Sequence, residues 1–302
     1  GLLMIRNAIK IWNLVKGKNL DIAHITTSGE FAVFRDLLYI KIFRYYKIPI
    51  VYHIRFGRVN EIAKKRTWEW KLISKAMSYA SVVLTIDETT YNAIRYHLPK
   101  VRVINIPNPI DINKFLLPKP NICKKTVMFL GWVVKSKGIE ELLGAWEHIF
   151  NTYKDWTLEI VGPYKDEYYD YLKDKYCFNG VRFTGEQNHE DAIILLNESE
   201  IFILPSYTEG YTNVVLEAMA LAKPIIATRV GAIPEMLSEQ CGVLIEPQSK
   251  TEIETTLRDL IQDSEKRKML GENAFKKVVK TNNIDIIFEK YIEIWKTLVS
   301  NA

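Results

Sequence analysis

The chain has 302 residues, 48% apolar, 12% aromatic and 25% charged, the composition of a folded globular protein, which excludes a disordered tail, a collagen-like fibre and a disulfide mini-scaffold. At roughly 150 residues per domain the length allows about two domains, each able to bury its own core. The net charge of +5 hides a split: residues 1–118 carry 19 Lys and Arg against 8 Asp and Glu, whereas residues 119–302 carry 22 against 28. A basic half suits nucleic acid, anionic lipid or a phosphorylated substrate, so charge names a class of partners only. No apolar run reaches the roughly 18 residues needed to cross a bilayer, and nothing reads as a secretory leader, so a cytoplasmic protein is expected. Cys123, Cys177 and Cys241 lack metal-ligand spacing and read as free thiols.

In chain order, the spacing of apolar residues predicts a helix over 2–15 that ends at Gly17. Short β-branched runs at 21–27, 49–54, 81–86 and 101–106 read as strands, separated by helical patterns at about 29–46, 60–79 and 88–97. Strands alternating with helices imply a parallel sheet. A proline-rich break, Pro107-Asn108-Pro109 and then Leu117-Pro118-Lys119-Pro120, closes the first domain at 118. The second half repeats the theme, with strands at 126–130, 157–161, 181–184, 201–204, 224–228 and 242–245. Helices are predicted between them at 138–153, 165–176, 189–197, 212–222 and 232–237. Further helices follow at 250–262, about 264–280 and 284–299. The fold class is therefore α/β, with two doubly wound Rossmann-like domains facing a cleft, and ligands are expected at the carboxyl ends of the strands.

The most specific run is PSYTEGYTNVVLEAMALA, residues 205–222, directly after the strand 201–204. Glu209 lies in the loop and Glu217, eight residues on, inside the following helix. Between them Gly210 is expected to allow a tight turn, and Tyr211, Thr212 and Asn213 open a helix N-terminus, which favours phosphate. A glutamate on each side of a phosphate seat suits a molecule built as sugar, diphosphate and ribose.

This run resembles the E-x7-E signature of the retaining GT-B glycosyltransferases of family four (group 1). The resemblance implies that Glu209 holds hydroxyls of the transferred sugar, that Glu217 holds the ribose, and that the backbone from Gly210 to Asn213 lies near the diphosphate. Gly131 to Gly138 (GWVVKSKG) is similar to the family's G-R-L-x-x-x-K-G segment, which makes Lys137 the cation on the leaving diphosphate. Trp132 stands where the family has arginine, and whether Lys135 replaces that cation is open. His53, in VYHIR, matches a family histidine near the transferred sugar, though a lone histidine at a strand end reads equally as structural. Arg55 and Arg58 beyond it suit an acceptor or a phosphate. Arg182-Phe183-Thr184-Gly185 is similar to the loop beside the nucleotide base, and Gly231 to Glu235 (GAIPE) to the family's G-G-x-P-E.

No Asp-x-Asp pair is present, so no metal and no cofactor beyond a nucleoside diphosphate sugar as co-substrate is expected. On a helix over 60–79, Lys64, Trp68, Lys71 and Lys75 would form one stripe suited to an anionic membrane surface, or equally a solvated face. No nucleic-acid-binding module is recognised.

The resemblance implies a retaining, metal-independent transfer of a sugar from a nucleoside diphosphate sugar to a lipid-linked or polysaccharide acceptor, at the inner face of a membrane. It places residues 1–118 in an acceptor-side domain, 119–283 in a donor-side domain, and the helix 284–302 back on the first. The family's first domain opens with additional strands that have no counterpart here, so the first domain is expected to be truncated, with the strand 21–27 on an open edge. A shortened sequence, a remainder supplied by a partner chain, and a homodimer that pairs those edges are the open explanations. The alternative to an enzyme is a nucleotide-sugar-binding or partner subunit without transfer activity.

Overall fold

In the computed structural model, residues 2–17, 20–118 and 124–300 are described; Cys123 and the Lys119-Pro120 end of the proline-rich break lie outside them. The chain divides into two compact units, one of Gly1–Asn108 with Asp285–Ala302, the other of Pro109–Ile284.

The first unit runs α1 (Leu2–Lys16), β1 (Ala23–Thr27), α2 (Ala32–Tyr45), β2 (Ile50–Ile54), α3 (Val59–Lys64), α4 (Trp68–Tyr79), β3 (Val82–Thr85), α5 (Glu88–His97) and β4 (Val103–Asn105). The four strands form a parallel sheet in the order β1-β2-β3-β4. Central β2 and β3 are buried at every residue, whereas β1 alternates, as expected of inner and edge strands when helices cover both faces. Ile50, Tyr52 and Ile54 of β2 face a core shared with α2, α4 and α5, through Val33, Ile40, Ile73, Met77 and Ile94. The alternate residue Val51 faces the other way, with Val82, Leu84 and Ile106, onto α13 (Ile284–Ser300) through Ile287, Ile294 and Leu298.

One predicted helix is two. The run expected to be continuous over 60–79 breaks at Lys65-Arg66-Thr67: Arg66 adopts φ +48°, and the Thr67 hydroxyl accepts the Trp70 N–H at 3.2 Å to start α4. Lys64 therefore ends α3 and does not share a helical stripe with Trp68, Lys71 and Lys75, which lie on α4.

The second unit runs β5 (Thr126–Leu130), α6 (Ile139–Thr152), β6 (Thr157–Val161), α7 (Asp166–Lys175), β7 (Val181–Gly185), α8 (His189–Glu198), β8 (Ile201–Leu204), α9 (Asn213–Ala220), β9 (Ile225–Thr228), α10 (Ile233–Met236), β10 (Val243–Ile245), α11 (Lys250–Gln262) and α12 (Ser264–Thr281). Short 3-10 turns occupy Ile112–Phe115 and Lys135–Lys137. All six strands are parallel, in the order β7-β6-β5-β8-β9-β10. The chain winds outward from β5 in one direction and then from β8 in the other. The switch point thus falls between β5 and β8, where the loops at their carboxyl ends diverge and leave a crevice.

Candidate functional site

The loops that flank this crevice are Gly131–Gly138, after β5, and Pro205–Thr212, after β8. They are tied together by backbone: the Tyr207 N–H donates to the Ser136 carbonyl at 2.8 Å, and the Tyr207 hydroxyl to the Glu141 carboxylate at 2.7 Å. Gly138 sits at φ +71°, and a Cβ there would lie 2.1 Å from the Pro205 carbonyl oxygen, so only glycine permits this approach. Across the junction the Lys137 ammonium donates to the Glu209 carboxylate at 2.5 Å, with side-chain exposures of 26% and 9%. The lysine and the first glutamate, 72 positions apart in sequence, are thus one ion pair at the switch point.

Glu217 lies on the second turn of α9 and is 13% exposed; burial raises its pKa, and His189 at the start of α8, 2.9 Å away, opposes that rise. Thr212 caps α9 without a side-chain hydrogen bond, so the helix N-terminus keeps the polarity that attracts an anion. Asn282, at the end of α12, donates to the Tyr211 hydroxyl at 2.7 Å and fixes that part of the loop.

The chain bends at Gly210 without using a glycine's conformational freedom. Its φ is not positive, and a Cβ would meet nothing within 4 Å. The glycine the loop requires is Gly231, at φ +55°, whose Cβ would lie 2.2 Å from the Glu209 carbonyl oxygen; beside it the Ala232 N–H donates to the Gly210 carbonyl at 3.1 Å. Lys135 pairs with Glu140 at 3.9 Å, whereas Lys137 pairs with Glu209, and Trp132 is 64% exposed. Gly131 closes onto β6 through its N–H to Val161 at 2.9 Å. Thr184 and Gly185 end β7, where the Gly185 carbonyl accepts the Gly162 N–H, and a groove beside them is lined by Arg182, Phe183, Thr184, Gln187 and Asp191. His189 escaped the sequence reading because it acts on a residue more than twenty positions away, and Gly231, matched there only as part of GAIPE, gave no sign that it packs on Glu209.

The remaining candidates belong to the first unit. His53 is 1% exposed on β2, with Nδ1 3.3 Å from His24 Nε2 and its ring 6.0 Å from Tyr291. Burial, reinforced by Arg55 and His24, depresses its pKa to about 3, so it is neutral at ordinary pH and its Nε2 is a buried polar atom with no hydrogen-bond partner in the structure. Arg55 donates to the Asn108 side chain at 2.9 Å. Arg58 is held by Glu69 at 2.7 Å and Glu30 at 3.3 Å, and Glu69 also accepts the Glu30 N–H, so this arginine fixes the β1–α2 loop.

A doubly wound parallel sheet with its charged residues gathered at the switch point defines the Rossmann-like class. Comparison with known proteins gives the family: the sequence pattern of the glycosyl transferases group 1 matches residues 116–277, more than half of the chain, and the chain belongs to that family. CapM of Staphylococcus aureus, a capsular polysaccharide biosynthesis glycosyltransferase, is 26% identical over 273 residues, covering 83% of this chain and 71% of CapM. A glycosyltransferase of Methanocaldococcus jannaschii is 32% identical over 182 residues, 59% of this chain and 46% of its own length. Among solved structures, HepE of Anabaena, in complex with UDP, superposes with a TM-score of 0.78 at 18% identity, over 96% of this chain and 82% of HepE. The two α/β units thus have the GT-B glycosyltransferase fold, with a small first sheet.

Proposed function

We propose that this chain is a retaining glycosyltransferase that moves a sugar from a nucleoside diphosphate sugar to a lipid-linked or polysaccharide acceptor, working peripherally on the cytoplasmic side of a membrane. The observation that carries the donor assignment is the Lys137–Glu209 pair at the switch point, beside the N-terminus of α9 and one turn from Glu217. A diphosphate competes with Glu209 for the Lys137 ammonium, which neutralises charge as the glycosidic bond breaks. Glu209 then accepts from hydroxyls of the sugar, and Glu217 from the ribose. The charge is met by the lysine and the helix dipole without a metal. The UDP and UDP-glucose bound by HepE make a uridine diphosphate sugar the first donor to test, and the role of CapM points to a surface polysaccharide as acceptor.

Thermal-shift titration with UDP, GDP and ADP should show stabilisation by one of them, and radiolabelled transfer from the matching donor panel should fall about 100-fold or more in Lys137→Ala and Glu209→Ala. Glu217→Ala should mainly weaken donor affinity. The donor reading fails if no diphosphate stabilises the protein, or if Glu209→Ala transfers as the wild type does.

A second reading, a donor-binding partner subunit without transfer activity, is favoured by one feature: among the described residues β1 pairs only with β2, leaving its outer edge open to a strand from elsewhere. Donor binding without transfer to any acceptor fraction, recovered on adding a second chain, would select it.

A further inference from the structure

We propose that the outer face of the layer formed by α1, α2 and α4 is the surface by which this protein sits on an anionic lipid bilayer. The inference rests on the membrane-peripheral reading above and replaces the single amphipathic helix expected from the sequence by a three-helix platform.

The three helices pack on one face of the first sheet, where Val15, Val33, Ile40, Ile73 and Met77 bury their inner sides. Each returns the chain to a strand of the same parallel sheet, so all three run in the same direction. On α2 the positions i, i+4, i+7 and i+11 turn outward together, and they are Phe34, Leu38, Lys41 and Tyr45. This stripe joins two aromatic clusters. At its start the Phe34 ring stacks on Trp68 of α4 at 5.7 Å and Phe31 approaches the same indole at 5.8 Å, with exposures of 45%, 49% and 76% respectively. At its far end Trp12 of α1 stacks on Tyr45 at 5.4 Å, over an apolar groove of about 500 Å³ lined by Ile9, Trp12, Leu38, Lys41 and Tyr45.

The charge on this face has one sign. The only acids in the three helices are Asp36 and Glu69, 0% and 6% exposed, the first held by Arg35 and the Tyr52 hydroxyl, the second by Arg58. Lys10, Lys16, Lys41, Arg44, Lys71 and Lys75 are all exposed. Glu30, in the loop before α2, is an exposed acid beside Phe31, and it is ion-paired with Arg58. Exposed indole, phenol and phenyl rings among lysines match the region between lipid headgroups and acyl chains, and anionic headgroups meet the lysines. A second copy docking through the same face would set like charges against each other. Nucleic acid would leave Ile9 and Leu38 without an apolar partner. The bilayer is the occupant that satisfies rings, aliphatic groups and lysines together.

The test is co-sedimentation of the whole chain with vesicles of phosphatidylcholine alone and of equal parts phosphatidylcholine and phosphatidylglycerol, at low and high salt. The wild type should bind the anionic vesicles about tenfold or more tightly than the neutral ones and lose most of that margin in high salt. Phe31→Ser/Phe34→Ser should weaken anionic vesicle binding about tenfold, and Lys10→Glu/Lys41→Glu as much or more, with the thermal midpoint and UDP binding unchanged. If the wild type ignores anionic vesicles, the membrane reading and this surface fall together. If the wild type binds and both variants bind equally well, the membrane reading stands and this surface is wrong. A dimer dissolved by these substitutions, or oligonucleotide binding that depends on them while vesicle binding does not, would assign the face elsewhere and overturn the proposal.

Discussion

His53 shows how far a single residue's chemistry depends on where a strand places it. Its neighbours on β2 are apolar and its ring sits against His24 and Tyr291, so the proton is excluded by burial and by the positive charge of Arg55. In the unfolded chain the same imidazole takes up a proton near pH 6.5. Between about pH 6.5 and 3 the unfolded state therefore binds a proton that the folded state refuses, and stability falls by about 1.4 kcal/mol per pH unit from this group alone. Urea unfolding at pH 7 and pH 5 should show the wild type losing about 2 kcal/mol more over that interval than His53→Gln, which has no imidazole to titrate. Equal losses in the two proteins would mean that His53 is protonated in the fold. The sequence offered this residue as a strand-end histidine near a sugar or as a structural one, and the pattern could not show the burial, since His24 and Tyr291 lie far off in the chain.

At the scale of elements, strands were legible wherever both faces are covered. β5 and β8 coincide with β-branched and apolar runs, because a buried parallel strand admits little else, and β6 matches the run read at 157–161 although it carries the buried Glu159. The α3–α4 break was not legible from glycine or proline, since Arg66 takes the left-handed conformation itself; the signal was Thr67, a capping residue inside a helical pattern. The site was legible in part for a similar reason. Glu209, Glu217 and Lys137 stand at recognisable spacings, whereas the closure of the loop after β8 depends on a glycine in the loop after β9. Gly231→Ala forces a Cβ against the Glu209 carbonyl and a side chain into left-handed backbone, a strain of about 1–2 kcal/mol before any displacement of the loop. It should lower the thermal midpoint by several degrees and weaken donor diphosphate binding about tenfold. Gly210→Ala, at a position surrounded by open space, should leave the midpoint within a degree or so of wild type. A Gly231→Ala protein that melts and binds like the wild type would show that the loop tolerates another path.

At the scale of the whole molecule, the order of the chain and the order of the structure part company at its C-terminal helix. The first sheet is made by residues 23–105, yet the helix that covers its second face is α13, some 180 positions further along. Without that helix Val51, Val82, Leu84 and Ile106, each fully buried, would line an exposed apolar face on a four-stranded sheet. Ile287 is the most buried of the helix residues in this contact, at 0% exposure, with Ile294 two turns on and Leu298 one turn beyond that on the same face. Truncating it removes three carbons from a packed interior, and Ile287→Ala should cost about 2–5 kcal/mol. Because the lost contacts all lie in the first unit, the effect should be local: amide exchange should accelerate in β2 and β3, at Val51 and Leu84 above all, while β5 and β8 keep their protection. Equal acceleration in both sheets would mean that the two units unfold as one body, and unchanged exchange in β2 would mean that α13 does not hold the first sheet. Lys290→Ala, an exposed position on the same helix, serves as the control, with an expected change within about 0.5 kcal/mol.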